Sequence, residues 1–164
     1  VSGGCQDPAM FEAIAELQIP YVMMHMQGTP VNMQKNPRYD HVVKDIGMFF
    51  ASQLEKLKRL GVHDIILDPG FGFGKSLEHN YQLLAGLNYF TMFELPLLVG
   101  VSRKSMINKA LGTKPKDALN GTTALNVMAL ERGAKILRVH DVREAREAVT
   151  LVAKLHEVEK LNMD

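Results

Sequence analysis

The chain has a single cysteine, Cys5, in 164 residues. That excludes an intramolecular disulfide framework and a cysteine zinc cluster, and it fits a reducing, cytoplasmic setting. An excess of charge of one sign is also missing: 19 Lys and Arg against 18 Asp and Glu leave a formal net charge of +1. That balance makes no case for nucleic acid or a membrane surface as partner. No apolar run reaches the length of a membrane span, and no stretch has the pattern of a signal peptide. Low-complexity segments are absent. So is any set of His, Asp and Glu with metal-ligand spacing. What remains is ordinary for a globular protein, at 46% hydrophobic and 23% charged residues. The length suits one domain with a real core.

The most informative stretch is residues 64 to 76, Asp-Ile-Ile-Leu-Asp-Pro-Gly-Phe-Gly-Phe-Gly-Lys-Ser. Ile65 to Leu67 reads as a short buried strand, with Asp68 at its end. Gly70, Gly72 and Gly74 let the backbone turn sharply and approach a ligand closely. Ser76 is placed to cap a following helix. Asp-Pro-Gly alone reads as a turn with a capping aspartate. Phe71 and Phe73 argue for more, because a chain needing only a turn carries polar residues there. Carboxylate, glycine loop, aromatic rings and Lys75 together suggest a small-molecule site. It is no standard phosphate loop. A Walker A loop needs glycine five positions before Gly74, and Pro69 stands there. The alternating glycines also miss the dinucleotide fingerprint.

Four strand–helix units, preceded by one helix, are predicted. Asp7-Pro8 marks a helix start, with Met10, Ile14 and Leu17 on its apolar face to about residue 18. Residues 20 to 24 read as a strand, and about 39 to 60 as a helix with Val43, Ile46, Phe50, Leu54 and Leu57 inward, stopped by Gly61. After the glycine loop, residues 77 to 89 are helical by period. A strand over 96 to 101 ends in Ser102-Arg103-Lys104-Ser105, and a helix covers about 118 to 132. A strand over 135 to 139 leads to His140. Asp141 to Glu144 has capping-box spacing, opening a helix to about 160 with Ala145, Ala148, Val149, Val152 and Leu155 inward. Apolar strands alternating with amphipathic helices imply a parallel sheet covered by helices.

Every polar cluster follows a strand: His25 to Gly28, Asp68 to Ser76, Ser102 to Ser105, Arg138 to Asp141. In a (β/α)₈ barrel such ends converge on one face, where the active site sits. Alternation places Arg138 and His140 on one side of a strand. With Ser102, Arg103, Lys104 and Ser105 they suit an anion such as phosphate. Each cluster alone also reads as a solvated charge or a helix cap. Unpaired charge on a buried strand reading Leu-Arg-Val-His is costly, which favours the ligand reading. His25 alone reads as structural, and the ten methionines as gap-filling core.

Met24-His25-Met26-Gln27-Gly28, Asp68 to Lys75, Ser102 to Ser105 and Arg138 to Asp141 occur in an order and spacing that closely resemble the dihydropteroate synthase family. The resemblance covers essentially the whole chain. It implies a (β/α)₈ barrel of α/β class that joins p-aminobenzoate to 6-hydroxymethyl-7,8-dihydropterin diphosphate and releases pyrophosphate. It further implies that Asp68 pairs with the amino-pyrimidine edge of the pterin. Lys104 reaches the pterin carbonyl and ring nitrogen, and Phe73 packs on the aminobenzoate ring. Ser102 and Arg103 lie near the aminobenzoate carboxylate. Arg138 lies along the pterin and grips the diphosphate with His140. Met24 and Gly100 shape the pterin slot. Lys104, Arg138 and His140 stand as the catalytic set. A path through loss of pyrophosphate needs leaving-group stabilisation and a closed pocket, but no strong protein nucleophile.

The family barrel begins well before this chain does. Val1-Ser2-Gly3-Gly4 reads as a loop just after a strand, so residues 1–164 are expected to be the C-terminal half of the barrel domain, strands five to eight. The loop whose Asn meets Mg²⁺ and the diphosphate, and an early pterin-binding Asp, have no counterpart here. Mg²⁺ is thus implied with its protein ligand outside the chain. Such a half is expected to self-associate, as a homodimer, and to be inactive alone. Two other readings are a pterin-binding methyltransferase domain and a non-catalytic binding or assembly piece. The first brings no diphosphate for the Ser-Arg-Lys and Arg-Val-His clusters, and a turnover assay separates the second.

Overall fold

The computed structural model of the chain describes residues 2–161. Ser2–Gly4 forms a short 3₁₀ turn where a loop was expected, and Val1 lies outside the described residues. Four strands build one sheet: β1 (Tyr21–Met24), β2 (Ile65–Asp68), β3 (Leu97–Val99) and β4 (Ala134–Leu137). All pairings are parallel, and the spatial order is the chain order. A doubly wound sheet reverses its order at a switch point, whereas a barrel adds each strand beside the last. The sheet is therefore of barrel type, four parallel strands wide.

Helices follow each strand. α1 (Met10–Leu17) precedes β1, α2 (Val42–Arg59) precedes β2, and α3 (Leu77–Ala85) precedes β3. The segment between β3 and β4 carries two helices, α4 (Ser105–Leu111) and α5 (Leu119–Glu131), and α6 (Val142–Leu161) follows β4. α4 was not expected. It is a short helix ended by Gly112 in the left-handed region, which closes it before an apolar period can show. Similarly, the helix expected over 77 to 89 is broken at Gly86 and continues as a 3₁₀ turn, Leu87–Phe93.

The core lies between the sheet and α2, α3 and α5, with Phe50, Leu67, Leu83, Phe90 and Leu97 fully enclosed. Phe50 meets Phe90 edge-on at 5.6 Å, a favoured aromatic geometry. Burial corrects several inward assignments. Leu17 is 64% exposed, because α1 turns Ile14 into the core, with Met10, Phe11 and Ala15 packed partly buried beside it. Val149 and Leu155 are exposed too, since α6 seats on α5 through the small residues Ala145 and Ala148 and through Val152. Asp7 accepts from the Ala9 backbone N–H at 3.0 Å, capping a turn ahead of α1, so that helix starts later than expected.

β4 also ends earlier than its apolar run suggests. Leu137 is its last residue, and Arg138 and His140 are exposed, not on a buried strand. Arg138 still donates its backbone N–H to the Val99 carbonyl at 2.9 Å, which fixes it beside β3. Between Leu97 and Leu98 the pairing with β4 slips by one residue, so that Leu98 faces Ile136 and Val99 faces Leu137. None of the described helices is long and apolar enough to cross a membrane.

Candidate active site

The C-terminal ends of the strands surround a cleft of about 340 Å³. Met24 enters from β1 and Asp68 from β2, with Phe73 on the following loop. Gly100, Ser102 and Lys104 come from the turn after β3, and Arg138, Val139 and His140 from the turn after β4. A wider groove of about 700 Å³ runs along α6; Arg143, Arg146, Glu147 and Thr150 are among its lining, but all of that lining comes from the one helix. The smaller cleft is the one lined from all four strand ends.

The loop after β2 owes its shape to glycine. Gly70, Gly72 and Gly74 have φ of 72°, 80° and 62°. A Cβ at Gly70 would overlap the His25 carbonyl oxygen, and one at Gly74 would overlap the Gln27 backbone. The loop thus lies directly on the end of β1. Ser76 closes it by accepting from the His79 N–H at 3.1 Å, in a reciprocal capping box with the His79 ring. The two phenylalanines diverge. Phe71 is fully buried in the core, whereas Phe73 stands at the cleft.

Asp68 is buried and accepts from the Gly70 N–H at 2.8 Å through Oδ1. Burial pushes its carboxyl above the usual range, against the pull of the Gly70 hydrogen bond and of Lys104, Lys75 and Arg138. Lys104 lies opposite. Its ammonium donates to the Phe71 carbonyl and sits 4.8 Å from the Phe73 ring centroid, a cation–π distance. Burial draws Lys104 down to about 8, with Asp68 pulling up and Arg138 pulling further down. The cleft therefore has an acceptor on one side and cations on the other.

Ser102 and His140 are tied together. The His140 backbone N–H donates to Ser102 Oγ at 3.2 Å, and Ser102 Oγ lies 2.9 Å from His140 Nδ1. When the serine proton points to Nδ1, Nε2 is the ring nitrogen left to donate toward the cleft. Arg103, nominated beside these residues, does not line the cleft. Its φ of 56° turns it outward, and Nε and Nη2 grip Asp141 at 3.1 and 2.5 Å. That pair holds the Arg103 guanidinium above its usual range and the Asp141 carboxyl below its own. Asp141, expected to share a capping box with Glu144, instead ties the turn after β3 to that after β4.

Lys75 is the other correction. It does not reach the cleft but lies under the loop, 3% exposed. Asn80, which nothing in its local sequence singled out, is buried beside it and accepts from the Gly72 N–H at 2.7 Å. His25 is structural, as expected: its ring is buried against Phe49 at 5.0 Å and meets Lys75 through Nδ1. Among the described residues no group of three or more His, Cys, Asp or Glu could hold a metal ion.

Comparison with known proteins fits this geometry. The family profile described as "Pterin binding enzyme" matches residues 1–140. Dihydropteroate synthase of Escherichia coli (strain K12) is 48% identical over 148 residues, covering 89% of this chain and 52% of that protein. A crystal structure of Yersinia pestis dihydropteroate synthase with a sulfonamide drug complex superposes with a TM-score of 0.89 at 47% identity, over 93% of this chain and 56% of that one. Xanthomonas albilineans dihydropteroate synthase in complex with 7,8-dihydropteroate does so with a TM-score of 0.85 at 34% identity, over 94% and 57%. The chain spans about half the length of the curated relatives it matches. With the profile covering most of its length and the cleft at the strand ends, the chain belongs to the pterin-binding enzyme family.

Proposed function

We propose that this chain supplies the pterin, p-aminobenzoate and diphosphate contacts of a dihydropteroate synthase. The observation that carries the reading is the polarity of one cleft: a buried carboxylate faces Lys104, Arg138 and His140 across an aromatic wall. Asp68 accepts two hydrogen bonds from the amino-pyrimidine edge of the pterin. Lys104 leaves the Phe71 carbonyl to meet the pterin carbonyl and ring nitrogen. Met24 and Gly100 set the thickness of the slot, and Phe73 faces the arylamine ring. Arg138 and the His140 Nε2–H hold the diphosphate, with Ser102 orienting the imidazole. As the bond from the methylene carbon to the diphosphate oxygen breaks, its electron pair leaves with pyrophosphate, where these donors stabilise it. The amine of p-aminobenzoate then bonds to the methylene cation and loses a proton. Arg103, held by Asp141, is a rim group toward the aminobenzoate carboxylate. Mg²⁺ belongs to this reading as a companion of the diphosphate, with its protein ligand outside residues 2–161. The lone, exposed Cys5 suits a cytoplasmic enzyme.

A methyl-transferring pterin enzyme brings no diphosphate and would leave Arg138 and His140 without a partner. The test follows from that difference. Joined to the N-terminal half of the Escherichia coli relative, the chain is expected to form dihydropteroate and pyrophosphate. Arg138→Ala should weaken the pterin diphosphate about tenfold, the loss of one charged hydrogen bond, and spare the pterin alcohol. A folded chimera that forms no dihydropteroate sinks the reading, and equal losses for both ligands remove Arg138 from the diphosphate.

The reading also includes a homodimer. Met128, Leu151, Leu155 and Leu161 leave an exposed apolar face on α5 and α6. Light scattering across a dilution series is expected to give twice the chain mass, and a constant monomer mass rejects it.

A further inference from the structure

The loop from Pro69 to Lys75 carries an unusual set of bonds. Its carbonyls have no strand partners, yet each from Gly70 to Gly74 accepts from a side chain. Lys104 takes Phe71, Gln34 Nε2 takes Gly72 at 2.6 Å, and the Tyr39 hydroxyl takes Gly74 at 2.8 Å. Lys75 Nζ takes two, Gly70 at 2.9 Å and Phe73 at 3.1 Å, and its third contact is His25 Nδ1 at 3.1 Å. An ammonium has three protons, and here three acceptors meet them. A neutral His25 ring supplies the third as a lone pair, and burial drives that ring's pKa down to about 3, helped by Lys75.

We infer that Lys75 is a positioning residue, whose buried ammonium sets Asp68 and Phe73 in place for the pterin and the arylamine. The inference rests on the function proposed above. Two short relays make the connection. Gly70 offers its carbonyl to Lys75 and its N–H to Asp68, so the cation fixes the peptide that orients the carboxylate. Phe73 gives its carbonyl to Lys75 while its ring faces Lys104 and the cleft. The third bond, to His25, anchors both relays to the end of β1. With His25 Nδ1 as an acceptor, the charged form supplies one proton to each of the three contacts. Burial works against it, drawing Lys75 down to about 7, and Asp68 pulls it back. A buried cation is costly when a plain turn would do, which marks a task beyond holding the chain together.

Lys75→Met keeps the stem and removes the donors. In the 164-residue chain it is expected to weaken 6-hydroxymethyl-7,8-dihydropterin binding by at least about tenfold. It should also speed hydrogen exchange at the Gly70, Gly72 and Phe73 amides. Leu83→Ala, a fully buried truncation on α3 away from the cleft, is the control for lost stability. It should lower stability yet leave pterin affinity and those amides as in the wild type. Unchanged exchange in Lys75→Met, or equal affinity losses in both variants, would overturn the inference. If the folded chimera described above forms no dihydropteroate, the function proposed above falls, while exchange in Lys75→Met still decides the role of the lysine. Should Lys75→Met fail to fold, ¹⁵N NMR of the wild type decides. A slowly exchanging ammonium signal for Lys75 is expected, and a fast-exchanging one overturns the assignment.

Discussion

Asp68→Asn is expected to lower pterin affinity by between about tenfold and about 150-fold, the equivalent of roughly 1.5–3 kcal/mol for a charged hydrogen bond. The size follows from what the amide does to the site. Asn keeps the shape but turns one acceptor oxygen into an NH₂ donor, which then faces a donor on the pterin edge. Oδ1 already serves the Gly70 N–H, so the amide cannot flip without breaking the loop contact. The charge is lost as well, and with it the attraction of Lys104 and Arg138 that opposes the burial of Asp68. Calorimetry with 6-hydroxymethyl-7,8-dihydropterin on wild type and variant checks this. Equal affinities would place the pterin elsewhere.

Gly70→Ala should abolish pterin binding and destabilise the fold, and Gly61→Ala gives the reference. The two glycines share nearly the same backbone, with φ of 72° and 75°. A left-handed alanine costs about 1–2 kcal/mol at either position. They differ in space. At Gly61 an added Cβ meets nothing within 4 Å, whereas at Gly70 it runs into the His25 carbonyl. A Cβ is fixed by its own backbone and the obstacle is a backbone carbonyl, so no side chain can rotate away to relieve the contact. The loop must lift from β1, which also strains the Lys75 and Asp68 bonds to Gly70. The added cost is about 1–3 kcal/mol, the scale for overpacking a tight contact. Urea midpoints of the two variants give the difference directly. Equal destabilisation, or retained pterin binding in Gly70→Ala, would show that the close approach is not required.

Much of this was legible in the chain itself. Apolar runs of strand length alternating with helix-period segments placed every strand to within a residue or two, because periodicity reports burial directly. The glycine loop was legible for a similar local reason, since alternating glycines serve only where φ turns positive. The motif clusters named Met24, Asp68, Phe73, Ser102, Lys104, Arg138 and His140, the family resemblance added Gly100, and all of them line one cleft. Where the reading failed, the deciding partner lay far along the chain. Nothing near Arg103 says that Asp141 will take its guanidinium, and nothing near Asp141 overrules its capping-box spacing.

The sequence alone therefore determined the order of the strands, the parallel sheet and most of the residues at its C-terminal ends. Each depends on spacing of a few residues along the backbone. Only the tertiary structure decided which way those residues face and what they hold. Lys75 stands one residue from the capping serine and two from the cleft-lining Phe73, yet it points beneath the loop to His25, 50 positions earlier. Its direction was set by where three acceptors could meet a buried cation, and the folded end of β1 brings those acceptors together.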